Sequence, residues 1–153
     1  MLLLSPLFFG FLAATGALLG ELFAVSFYAF TIESMEFLFL SAVLEEGCKY
    51  VLLKKTLSPE TSMRQLLLFL LFFSLGFGGF EISLLLLTDP LHDASLAAHA
   101  FGIFLLHSTT VFLLGYGLSK LSNKRLLPIF IIAAILIHAM YNTIILYQDI
   151  LHI

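Results

Sequence analysis

Two adjacent glutamates, Glu45 and Glu46, lie in the middle of an apolar stretch, with Lys49 one turn further on. A third acid, Glu81, interrupts the next apolar stretch. His107 and His138 interrupt the two after that, and Asn142 follows His138 by one helical turn. Each ionisable residue at the centre of a membrane span costs roughly 2.5–3.5 kcal/mol. Three such glutamates and a lysine therefore cost on the order of 10 kcal/mol before any pairing, and intramembrane carboxylates mark a functional site by default. Two carboxylates placed together in a low-dielectric interior do not both ionise readily, which suits one of them to proton transfer. Such a set is open to a proton relay or to hydrolysis, and hydrolysis needs an activated water, a stabilised oxyanion and a proton for the leaving group. Glu45 or Glu46 can activate the water while Lys49 keeps the neighbouring carboxylate charged. His138 and Asn142 share a helix face and can both donate to the oxyanion. His107 and Glu81 can orient the water.

The same residues also permit a metal version. Glu81, His107 and His138 form a His2Glu set, a recognised combination for catalytic zinc, with Glu45 or Glu46 as base. No HExxH helix is present, and the metal-free version with no cofactor is the favoured expectation. Each residue also has a plainer reading. Glu45 and Lys49, at i,i+4 on one face, can be a neutralised pair that staples a bundle, whereas Glu46 has no obvious partner. A lone histidine in a span is more often an interhelical hydrogen bond than a catalyst, and Asn142 alone more often holds helices together. Glu21 is isolated and is expected to face the bundle or a helix break after Gly20. His92, His99 and His152 lie near span ends, Cys48 is a small apolar filler, and the phenylalanines pack or face lipid.

These side chains need elements to hold them. The chain has 153 residues, 61% hydrophobic and 11% charged, with mean hydropathy +1.09. A soluble domain is about half apolar and a quarter charged, so an integral membrane protein is expected, 1–153 forming one helical domain with its motif-bearing core at about 34–147. A net charge of −3 gives no reason to expect nucleic acid as a partner. The single cysteine excludes an intrachain disulfide. The N-terminal stretch lacks the basic region of a secretory signal and is expected to be an uncleaved span.

Five segments are long enough to cross ~30 Å of hydrocarbon, at about 2–30, 34–53, 63–87, 94–119 and 126–147. None alternates as a barrel strand would. The expected fold is therefore an all-α bundle of about five transmembrane helices. Ser34 is a candidate N-cap for the second, and Pro59 and the Thr88-Asp89-Pro90 turn are the expected breaks around the third. All seven Lys and Arg (Lys49, Lys54, Lys55, Arg64, Lys120, Lys124, Arg125) lie in or beside the second-to-third and fourth-to-fifth connections. The other two connections carry only the acids Glu33, Glu36, Asp89 and Asp93. The positive-inside rule then predicts a cytoplasmic N-terminus and an extracytoplasmic C-terminus. Counted from the span ends at 1.5 Å per residue, Glu45, Glu46, Glu81, His107, His138 and Asn142 all fall between the midplane and the outer third of the bilayer. Four helices thus bring polar groups to one depth, with the cavity expected to open on the outer side.

With those residues in place, the pattern resembles PrsW-type intramembrane proteases, relatives of the CAAX prenyl endopeptidases. Glu45-Glu46-Gly-Cys-Lys49 resembles their EExxK motif and Phe77-Gly-Gly-Phe-Glu81 their FxxxE motif. The stretch from His107 resembles their third region, and His138-Ala-Met-Tyr-Asn142 their HxxxN/D motif. Lys49 and Glu81 stand where the prenyl endopeptidases carry arginine and histidine. The resemblance covers about two-thirds of the chain, which is shorter than expected for the family. It implies an intramembrane endopeptidase of a prokaryotic cell membrane that cleaves a membrane-anchored protein, an anti-sigma factor in the founding type, with the first glutamate as base. Two other classes compete. A proton- or ion-coupled transporter would use the same groups as a relay, although five spans without an inverted repeat argue against it. A catalytically silent scaffold of the same superfamily is the third reading.

Overall fold

The computed structural model describes residues 4–28, 34–58, 60–88, 94–121 and 124–151. Among them there is no strand. The elements are α1 (Leu4–Tyr28), α2 (Met35–Thr56), α3 (Met63–Thr88), α4 (Ala94–Lys120), a 3-10 turn (Lys124–Leu126) and α5 (Leu127–Leu151). Four of the five, α1, α3, α4 and α5, are long and apolar enough to cross a membrane. The other, α2, has 22 residues, a comparable length. It differs by carrying Glu36, Glu45, Glu46, Lys49, Lys54 and Lys55, and the middle three of these are buried by the surrounding helices.

Local chemistry sets the helix ends. Ser34 caps α2 as expected, with an extended backbone and its Oγ accepting from the Phe37 amide at 3.1 Å. Glu36 in the first turn and Lys54 and Lys55 in the last both complement the helix dipole. After Leu57 the chain turns, and Lys120 at the end of α4 donates to the Thr61 carbonyl at 2.7 Å. That bond ties together two of the basic connections at one end of the bundle. The expected stop at Asp89-Pro90, the break at Pro59, and Glu33, His92, Asp93 and His152 lie outside the described residues.

The helices form a ring in the order α1, α3, α4, α5, α2, closing back on α1, with α2 also touching α4 across the middle. Although consecutive in sequence, α2 and α3 do not meet backbone to backbone. Two glycines bring α1 and α3 into direct contact: a Cβ at Gly10 would overlap the Phe73 carbonyl, and one at Gly76 the Leu7 carbonyl. Small residues at such positions allow close helix approach. Gly78 faces His107 and Phe104 of α4, whereas Gly79 faces open space. The interior near the basic end is filled by Leu53, Leu66, Leu70, Phe73, Val111 and Leu114, none more than 1% exposed. Outside, Phe8, Phe27, Leu87, Phe101 and Ile129 are among the exposed large apolar side chains. Ser26, Ser83 and Thr109 are exposed too and Thr15 is half-buried, but their hydroxyls donate to carbonyls four residues back in their own helices. A surface of that kind suits lipid rather than water.

Candidate active site

Above the apolar fill, where α2 and α3 stand apart, the ring interior holds the polar residues. Glu46, Lys49 and His107 are fully buried and His138 is 2% exposed. Lys49 Nζ lies 2.6 Å from Glu46 Oε1 and 2.8 Å from His107 Nδ1, with Thr110 Oγ1 at 3.4 Å. The ring of Phe77 sits under the ammonium at 4.2 Å and beside the His107 imidazole at 4.7 Å between centroids. Glu46 Oε1 also receives His138 Nδ1 at 2.7 Å. His107 Nε2 reaches Glu81 Oε2 at 2.5 Å. His138 Nε2 faces Glu45 Oε1 at 3.5 Å. Asn142, one turn beyond His138, is half-buried.

Donor and acceptor inventories fix the proton positions. An ammonium only donates, so His107 Nδ1 accepts from Lys49 and the His107 proton is on Nε2, pointing at Glu81. Glu46 Oε1 accepts from both Lys49 and His138, so His138 carries a proton on Nδ1 and, as a neutral imidazole, presents the Nε2 lone pair to Glu45. Glu46 is therefore held as an anion by two donors, in the manner of the carboxylate that orients a catalytic histidine. Glu45 has no cation of its own. Its Oε2, like Glu46 Oε2, is buried without a hydrogen-bond donor. Exposure rises along the cluster, from zero at Lys49 and His107 through a 10% exposed Glu45 side chain to 27% at Glu81. Exposure is thus lowest at the members nearest the apolar fill and greatest at Glu81.

Six of the seven sequence-selected residues meet in this cluster, and Asn142 lies one turn beyond His138 on α5. The pairing within α2 differs from the spacing argument: Lys49 joins Glu46 at i,i+3, not Glu45 at i,i+4, and Glu46 gains the partner that sequence did not offer it. Two further participants were not singled out, and Phe77 was named only within the FxxxE motif. Ser41 donates to the carboxylates beside it, Thr110 accepts from Lys49, and Phe77 underlies the ammonium. Ser41 is one turn before Glu45 and Thr110 three residues after His107, so helical spacing was the available signal. Glu21 faces the bundle, not a helix break.

The metal set also shifts. The group whose donor atoms all lie within 4.8 Å of one another is Glu45, His107 and His138, with Glu45 in the place expected for Glu81. His138 suits a metal, because its Nδ1 proton already goes to a carboxylate and its Nε2 is free. His107 does not. Coordination through Nε2 would move its proton to Nδ1, against an ammonium 2.8 Å away. Comparison with protein-family models, with curated proteins and with solved structures gave no match in any of the three.

Proposed function

We propose that the protein is an intramembrane endopeptidase in which Glu45 activates the water that attacks a peptide bond of a membrane-anchored protein. The observation that carries this reading is the division of labour between the two glutamates. Glu46 is engaged by Lys49 and His138 at 2.6 and 2.7 Å, while Glu45, its side chain 10% exposed, faces His138 Nε2 across 3.5 Å. A water held between the Glu45 carboxylate and the Nε2 lone pair would lose its proton to Glu45, and Glu45 would return that proton to the leaving amine. With His138 Nδ1 committed to Glu46 and the His107 Nε2–H to Glu81, the amide of Asn142 is the group left to donate to the oxyanion. The order of the four motifs, which resembles that of PrsW-type proteases, supports the same reading. By that resemblance the substrate is a single-span protein such as an anti-sigma factor in a prokaryotic cell membrane. In this reading all five helices span the bilayer, with the basic end cytoplasmic.

Co-expression with single-span reporter proteins tests it. Cleavage is expected with the native chain and is lost in Glu45→Gln, while the variant still purifies as a folded, monodisperse protein. Undiminished cleavage by Glu45→Gln would rule out Glu45 as base, and proton flux into proteoliposomes without cleavage would favour the transporter. The fit of His107 to a hydrogen-bond network leads to a second expectation. Elemental analysis of active protein should show no stoichiometric zinc, and chelators should leave cleavage unchanged. One zinc per active chain would overturn the metal-free mechanism.

A further inference from the structure

The motif-bearing helices are α2 to α5, yet α1 brings one more carboxyl to the cluster. Ser41 Oγ lies 2.7 Å from Glu21 Oε1 and 3.2 Å from Glu45 Oε1. One hydroxyl therefore stands between carboxyls of two helices. Glu21 is half-buried and Glu45 is 8% exposed, so the pair runs from the buried cluster toward a more exposed position. From the elements packed around it, Glu21 also feels Glu81 of α3, His138 of α5 and Cys48 of α2.

Charge counting says why such a partner matters. Glu21, Glu45, Glu46 and Glu81 gather around one cation, Lys49, which is bound to Glu46. Two like charges 4 Å apart repel by about 4 kcal/mol at an effective dielectric of 20. Glu21, Glu45 and Glu81 must therefore share protons rather than all ionise, and Glu45 can act as a base only when its share is held elsewhere.

We propose that Glu21 is a positioning and proton-sharing residue for Glu45, joined to it by the Ser41 hydroxyl. The step moves a proton and nothing else. The proton on Glu45 Oε1 passes to Ser41 Oγ as the Ser41 hydroxyl proton passes to Glu21 Oε1. One O–H bond breaks and one forms at each stage, and the total charge is unchanged. Glu45 is then ionised, with Ser41 turned to donate to it, ready to take a proton from water. The role assigned here rests on Glu45 being the base, but the proton sharing itself does not require a substrate.

The test accordingly has an arm without one. Full-length protein in liposomes is treated with a hydrophobic carbodiimide, which reacts with protonated carboxyls, across a pH series. Modification of Glu45 is then quantified by peptide mass spectrometry. Glu21→Gln is expected to displace the pH profile of Glu45 modification, Ser41→Ala to displace it in the same direction by less, and Ser41→Thr to restore it. Profiles superimposable on the native one would overturn the proposal. Should Glu21→Gln fail to fold, the Ser41→Ala and Ser41→Thr pair decides by the same criterion. In the reporter assay, Glu21→Gln is expected to lower kcat at least about tenfold with KM unchanged, less than the hundredfold or more of a group that itself transfers the proton. Glu21→Asp should recover part of that loss. A change in KM alone would overturn the proposal. Failure of the native protein to cleave any reporter would instead count against the protease reading, with the modification profiles still deciding the role of Glu21.

Discussion

Lys49 can reach either glutamate from its place on α2, and it takes Glu46, the one that His138 also holds. Removing one partner of a buried ion pair leaves an uncompensated charge and typically costs about 3–5 kcal/mol, whereas neutralising both is close to neutral. Lys49→Met should therefore strip Glu46 of its cation and lower stability by that amount, read as a large fall in the thermal midpoint in detergent. Adding Glu46→Gln, which keeps an oxygen for the His138 Nδ1 proton, should recover most of the loss. Glu45 is bound to no cation, so Glu45→Gln should stay within about 1 kcal/mol of the native protein while abolishing cleavage. A stable Lys49→Met protein would show that the buried pair does not hold the cluster together.

At the level of elements, the tightest joint is the contact of α1 with α3, and it depends on which glycine of α3 is altered. A Cβ at Gly76 overlaps the Leu7 carbonyl, an atom that cannot swing aside, whereas one at Gly79 meets nothing within 4 Å. Gly76→Ala should destabilise by at least about 1–3 kcal/mol, the range for overpacking. Gly79→Ala should be neutral or gain up to about 1 kcal/mol from helix propensity. Equal melting temperatures for the two variants would show that α1 and α3 are less closely joined. This joint marks the boundary of what sequence could tell. The fixed rise of an α-helix converts distance from a span end into depth, so the meeting of Glu45, Glu81, His107 and His138 at one level was legible. Lateral packing has no such ruler. The choice of Glu46 over Glu45 by Lys49 turns on where α2 sits relative to α5, and both glutamates are within a turn of the lysine. Glu21 looked isolated because nothing in the sequence says that α1 lies against Ser41.

For the molecule as a whole, the interior is asymmetric along the bundle axis, and that asymmetry makes a prediction about access. Leu53, Leu66, Leu70, Phe73 and Leu114 close the ring below Lys49, on the side of the basic connections. Glu81, 27% exposed, lies on the opposite side of the cluster. Water and a charged reagent are therefore expected to approach the site from the Glu81 side, which is the outer face in the orientation proposed above. With Cys48 changed to alanine, a single cysteine at Glu81→Cys should react with a membrane-impermeant thiol reagent added outside intact cells. A cysteine at Leu57→Cys, beside the basic end, should react only after the membrane is opened. The reverse pattern would invert the topology and place the scissile bond of any substrate on the cytoplasmic side. No reaction at Glu81→Cys from either side would mean the cluster is sealed at both ends. A hydrolase needs both water and an unwound peptide at Glu45, so a sealed cluster would leave the catalytic reading without a substrate path.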